Sequence, residues 1–255
     1  VSLVAGDGDD VTLISAGGVT GQLSESSING NDGDDSTTWL NITNSSIYGG
    51  QGDDFLATNP AGGGVTTNAS EINGNRGDDI ISLTGSVTFT NVYGGRDDDF
   101  VNFAPTLNAF NNEIQGNKGD DFLNIAIVGA GSSDNEVYGG QGNDTILAGA
   151  STSDLLLSGD LGNDNVTGGG GDDTIDGGAG FDTLLGGAGD DTIDGGDDAD
   201  ILNGGVGADA LTGGASADRF VFANFAAADT VTDFVSGAIG GGLSDRLSLD
   251  VTGGT

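Results

Sequence analysis

The chain has 255 residues, 51 of them glycine, and carries 40 acidic against 5 basic side chains, a formal charge of -35. That charge excludes nucleic acid as a partner and repels an anionic membrane, and no apolar run approaches the ~20 residues that cross a bilayer. Cysteine, histidine and methionine are absent, so disulfides, thiolate or imidazole metal sites and most nucleophilic dyads are ruled out, and oxygen ligands for a hard divalent cation remain; calcium accepts about six to eight of them in flexible geometry. The chain opens on Val1 without a methionine or a leader-like run, as expected of a processed form or a piece of a longer protein.

From the amino end, a glycine-aspartate motif recurs at wide spacing: AGDGDD at Ala5, GNDGDD at Gly30, GGQGDD at Gly49, GNRGDD at Gly74, GGRDDD at Gly94, GNKGDD at Gly116, GGQGND at Gly139 and GDLGND at Gly159. The steps of 25, 19, 25, 20, 22, 23 and 20 residues alternate, which predicts two kinds of turn, coils of 42 to 45 residues and a wide β-solenoid over residues 1–158. On this reading Ala5, Gly49, Gly94 and Gly139 stack in one column and Gly30, Gly74, Gly116 and Gly159 in the other. Segments such as IISLTGSVTFTNVY alternate apolar and polar residues around a glycine, as two strands with a bend would. Tyr48, Tyr93 and Tyr138 recur every 45 residues and predict an aromatic ladder, with Asn29, Asn73 and Gln115 as an amide ladder in the other column.

From Gly168 the rhythm tightens to six consecutive nonapeptides, GGGGDDTID, GGAGFDTLL, GGAGDDTID, GGDDADILN, GGVGADALT and GGASADRFV. Each supplies a turn and a short strand, so two make an 18-residue coil, and a narrow β-roll is predicted over 159–222. Gly168, Gly186 and Gly204 then extend the first column, and Gly177, Gly195 and Gly213 the second. Across all fourteen motifs the sixth position is aspartate: Asp10, Asp35, Asp54, Asp79, Asp99, Asp121, Asp144, Asp164, Asp173, Asp182, Asp191, Asp200, Asp209 and Asp218. The eighth is apolar at Leu56, Ile81, Val101, Leu123, Ile146, Val166, Ile175, Leu184, Ile193, Leu202, Leu211 and Phe220, which predicts an inward core row; Thr12 and Thr37 depart from it. Asp97, Asp198 and Ser216 replace the fourth-position glycine and put their turns in question. The fifth-position acids, Asp9, Asp34, Asp53, Asp78, Asp98, Asp120, Asp172 and Asp190, are expected to turn their carboxylates to water.

The consensus GGxGxDxUx, with U a large apolar residue, resembles the RTX (repeats-in-toxin) calcium-binding proteins, a secreted bacterial type. The resemblance implies an all-β, right-handed parallel β-solenoid or β-roll with calcium-binding turns in two stacked columns. It places each ion between adjacent coils, held by sixth-position aspartates and by turn carbonyls from the motifs at Gly30, Gly49, Gly74, Gly94, Gly116, Gly139, Gly168, Gly177, Gly186, Gly195 and Gly204. Six gaps per column allow about 12 ions, whose +24 would reduce -35 to -11. It also implies passage through a type I secretion channel and folding in external calcium. The stretch Ala217 to Asp250 resembles the region that follows such repeats, so 223–255 is predicted to cap the roll, with Phe220, Phe222, Phe225 and Phe234 over the core. No comparable cap is evident at the amino end, where another chain or a missing domain is expected to stack.

Catalysis finds no motif: HExxH, GxSxG and GxxxxGK[ST] are all missing. Glu71, Glu113 and Glu136, each three residues before a motif, read as an exposed edge. The expectation is an extracellular, cell-surface structural protein that self-associates through its solenoid ends in calcium, with a cell-surface polysaccharide as a further candidate partner. The alternative is a folding and secretion module of a larger toxin, hydrolase or adhesin.

Overall fold

In the computed structural model, the described residues are 2–4, 6–14, 22–59, 65–128, 132–222, 227–235 and 245–249, and among them there are strands and turns but no helix. All strand pairs are parallel, in a 12-stranded and a 15-stranded sheet that the chain visits alternately. The first sheet runs from Ser2–Val4 through Ser27–Asp32, Ser46–Gln51, Glu71–Arg76 and Asn91–Arg96 to Thr230–Val231. The second runs from Val11–Ile14 through Ser36–Trp39, Phe55–Thr58, Ile80–Thr88 and Phe100–Phe110 to Arg246–Leu249. The molecule is a β-solenoid.

The register corrects the expected coil length. Ile28 pairs with Ile47, Ile47 with Ile72, and Ile72 with Val92, so the neighbouring strand lies one motif along, not two. Equivalent aspartates are 19 to 25 residues apart in the upstream coils and 18 apart in the nonapeptide part. The 42–45-residue coil and the alternation of upstream columns are therefore wrong. Rows of side chains merge accordingly: Asn29, Tyr48, Asn73, Tyr93, Gln115 and Tyr138 form one outward column of alternating amide and phenol. Separate tyrosine and amide ladders do not exist.

The core is built from inward rows that strand alternation aims at each other. Sheet one contributes Ile28, Ile47, Ile72, Val92, Ile114, Val137 and Leu157, and sheet two Leu56, Ile81, Val101, Leu123, Ile146 and Val166; in the nonapeptides the predicted eighth-position residues alternate between the two sheets, and all twelve are buried. In the nonapeptides one residue serves as both the eighth position and the residue two before the next glycine pair, as Ile175 does before Gly177. Upstream, these are two different residues, and the extra length between them widens the core with Trp39, Leu83, Phe103 and Ile125, all fully buried. Trp39 Nε1 donates to Thr67 Oγ1 at 3.3 Å, which satisfies its one polar group. Each such side chain contributes roughly 1.5–3 kcal/mol by leaving water.

At the carboxyl end Phe220 is buried and meets Phe234 with ring centroids 6.2 Å apart, while Phe222 packs on the edge of the core. Phe225 and Ala5 lie outside the described residues.

Candidate metal centre

The glycine-aspartate motifs turn the chain from sheet one to sheet two, except those at Gly168, Gly186 and Gly204, which turn it from sheet two to sheet one. In most motifs the second and fourth residues take positive φ, as at Gly50 (133°) and Gly52 (120°), where glycine is unhindered; Gly6, Gly169, Gly171 and Gly207 do not. Asn31, Asn75, Asn117 and Asp160 adopt the same region at the second position, and Asp97 (79°), Asp198 (70°) and Ser216 (84°) at the fourth. These turns are thus kept despite the missing glycine, because short polar side chains tolerate the left-handed region better than others. The first glycine has a different reason: a methyl on Gly49 or Gly186 would fall on its own motif's aspartate Oδ2 and on the carbonyl of the next coil's first glycine.

The sixth-position aspartates point inward and are nearly inaccessible, 1–4% exposed from Asp35 to Asp218. Each Oδ1 accepts the N–H of the equivalent residue one coil back: Asp10 donates to Asp35, Asp35 to Asp54, Asp54 to Asp79, and so on to Asp200 and Asp218, at 2.7–3.0 Å. In the nonapeptide region a second ladder runs on the opposite edge, Leu155 to Asp173 to Asp191 to Asp209. The fourteen predicted aspartates therefore divide eleven to three between columns, where the sequence reading placed seven in each.

The other carboxylate oxygen has no partner. Twelve of these Oδ2 atoms, on Asp35, Asp54, Asp79, Asp99, Asp121, Asp144, Asp164, Asp173, Asp182, Asp191, Asp200 and Asp209, are buried without a hydrogen bond. Burial pushes the carboxyl of Asp54 up to about 6, Asp79 and Asp121 to about 7 and Asp99 to about 9, opposed by the N–H each accepts and reinforced by neighbouring carboxylates. A buried charge in this state costs several kcal/mol unless a cation shares it.

Among the described residues, no three acidic side chains converge on a point. A cation here would be held by aspartate Oδ2 together with backbone carbonyls, such as that of Gly74 beside Gly49 and Asp54. Hard, mixed carboxylate and carbonyl oxygen is the donor set that suits calcium. The residues fit the ion.

Three ladder members escaped the sequence reading. Asp245 accepts from Asp218 N–H at 3.1 Å and from Val235 N–H at 2.7 Å, which extends the first column by one rung. Asp229 accepts from Asp209 at 3.2 Å and extends the second, and Asp233 takes the N–H groups of Gly213 and Gly214. The usable signal was Asp-x-apolar: Asp229-Thr-Val and Asp245-Arg-Leu repeat the aspartate and core spacing of Asp191-Thr-Ile, and Asp245 also follows a glycine pair, Gly240-Gly241, at the usual distance.

Also missed was a neutral equivalent of the second ladder. Four residues before the first glycine, the upstream coils place Ser26, Ser45, Ser70, Thr90, Asn112 and Asn135, all buried. Ser45 Oγ accepts Ser26 N–H at 3.3 Å, and Asn112 Oδ1 accepts Thr90 N–H at 3.0 Å. Their donors are used too: Ser70 Oγ donates to Asn68 O at 2.8 Å and Asn112 Nδ2 to Val87 O at 2.9 Å. Asn135 pairs in register with Leu155, and Leu155 leads to Asp173, so neutral and acidic turns belong to one continuous column.

The fifth-position acids are exposed, as expected, and their Oδ1 atoms cap the following coil, as Asp34 does for Asp53 at 2.9 Å. Glu71, Glu113 and Glu136 lie in one row on the outer face of sheet one, interrupted by Asn91, and not at an edge. Glu136 accepts the Tyr138 hydroxyl at 2.8 Å.

A family model described as the RTX calcium-binding nonapeptide repeat (4 copies) matches residues 43–59, 107–124, 130–152, 156–184, 176–211 and 185–220. No curated protein matches the chain. With its aspartate turns stacked in the matched segments, the chain belongs to the RTX calcium-binding nonapeptide-repeat family.

Proposed function

We propose that this calcium-binding repeat protein works outside the cell as a structural protein whose coils close on calcium and which then assembles with itself into a surface layer or filament. The observation that carries the calcium requirement is the set of twelve buried, unpartnered Oδ2 atoms. Eleven aspartates in one column leave ten gaps and three in the other leave two, so about 12 ions remain the expectation, distributed unequally along the molecule. The proposed ligands are the sixth-position aspartates with the first-glycine carbonyls. No catalytic role is part of the reading.

Self-assembly is supported by the outer faces of both sheets. Parallel sheets are normally covered on both sides, whereas here sheet two carries an uncovered row, Phe55, Ile80, Phe100 and Phe122, each 38–44% exposed. Phe100 and Phe122 stack on each other at 5.5 Å and 9°, so the row presents ring edges. The faces that Phe100 and Phe122 turn to each other are closed to a polysaccharide.

Calcium titration followed by circular dichroism and scattering tests the reading. The expected result is a coil-to-β transition that saturates near 12 ions per chain and is followed by concentration-dependent growth. Monomers that persist at saturating calcium favour the second reading, an accessory module of a larger secreted protein.

A further inference from the structure

Of the five basic residues, three stand on successive rungs at the third position of their motifs: Arg76, Arg96 and Lys118. All three are exposed, and among the described residues none forms an ion pair with its own chain. Gln51 precedes this column and Gln141 and Leu161 follow it, so the positive charge is confined to three coils. Beside it, on the sheet-two side of the same turns, run the exposed fifth-position aspartates Asp78, Asp98 and Asp120. Their Oδ1 atoms accept N–H groups from the next coil at 2.7–3.1 Å, which fixes the carboxylates in place.

We propose that this edge is a lateral contact for a second copy of the chain, in which Arg76, Arg96 and Lys118 of one molecule pair with Asp78, Asp98 and Asp120 of the other. Two features select that occupant. Both columns rise by the same ~4.8 Å per coil, so two copies with parallel axes match rung for rung. A two-fold axis parallel to the solenoid axis exchanges the sheet-one and sheet-two sides of the edge, and so sets base against acid at every rung in both directions; such an interface is self-complementary and closed. The other two-fold direction sets base against base and acid against acid. In a chain of -35 these are also the coils where another acidic molecule meets positive charge on approach. The contact deepens the self-assembly reading and rests on it, adding a side-to-side bond to any end-to-end one.

Exposed ion pairs are individually weak and screened by salt, so calcium-saturated protein should sediment as dimers at low ionic strength and as monomers at high. The R76E/R96E/K118E variant should lose dimerisation by at least about tenfold, a loss of ~1.4 kcal/mol, while keeping its calcium-induced dichroism. D78N/D98N/D120N should lose it to a similar degree and still fold, since Asn143 and Asn163 already serve as the Oδ1 acceptor at this position. Unchanged dimerisation in both variants overturns the contact. Calcium-dependent filaments without salt-sensitive pairs also overturn it and leave self-assembly standing. A wild-type chain that stays monomeric yet is retained by an immobilised anionic polysaccharide through these three bases overturns the second copy as occupant. Salt-sensitive pairs that form equally in chelator uphold the contact and remove the calcium requirement.

Discussion

The upstream coils and the nonapeptide coils solve one problem in two ways. In both, the backbone N–H at the start of a strand is accepted by a side chain from the next coil. Upstream, on the edge away from the glycine-aspartate turns, the acceptor is serine or asparagine, and its remaining polar atoms find carbonyls within reach. Downstream it is aspartate, whose second oxygen stays buried and alone. The difference separates hydrogen-bond geometry, which either residue type satisfies, from charge, which needs an ion. On the proposed reading, upstream coils depend on metal along one edge and downstream coils along both.

Removing calcium should break this comparison most severely. Hydrogen exchange in chelator should show strand amides of 174–214 unprotected, and during a calcium titration those of 71–118 should become protected at lower calcium. Equal behaviour of the two regions would defeat the argument. Acid should partly replace the metal. The inner aspartates have folded pKa values above the unfolded value near 3.8, from about 6 at Asp54 and Asp191 to about 9 at Asp99. Their protonation therefore stabilises the metal-free fold fully below that unfolded value, and the effect is lost as pH rises through about 6 to 9. Metal-free β dichroism should rise on acidification, and stay flat with pH in excess calcium.

Exchanging the two kinds of acceptor sharpens the comparison. Asn112→Asp adds an unpaired buried oxygen to a neutral rung and removes the amide bonds to Val87 and Asn135; a cost of ~3 kcal/mol is expected in denaturant melts. Gly186→Ala collides with Asp191 Oδ2 and Gly204 O, whereas Gly149→Ala meets nothing nearer than 3.7 Å; ~2 kcal/mol should separate the pair. Ser45→Ala, which removes one neutral acceptor, should cost ~1 kcal/mol and leave calcium affinity unchanged.

Much of this was legible in the residues. A fixed Asp-x-apolar spacing is dictated by strand alternation, so the aspartate and core rows could be named one by one. Coil length could not be read from motif spacing alone, because a turn closed by Ser45 or Asn112 carries no glycine and so leaves no punctuation in the sequence. Applying the nonapeptide pairing upstream doubled the coil and split one column into two. The terminal rungs were hidden for related reasons: Asp229 has no glycine closely before it, and Asp245 closes GGGLSD, which has Leu243 at the fourth position, yet both occupy the same register.

The inner carboxylates give the stack a direction. Asp35 completes the turn of Asp10, and Asp245 that of Asp218; each rung is closed by its successor and in turn waits for the next. Coils added from the carboxyl side therefore lock what lies before them, while coils added from the amino side bring donors and no acceptors. Unzipping that starts at Asp245 and Asp229 strips the caps from Asp218 and Asp209 first, so loss of this short tail should loosen the roll backwards, one rung at a time.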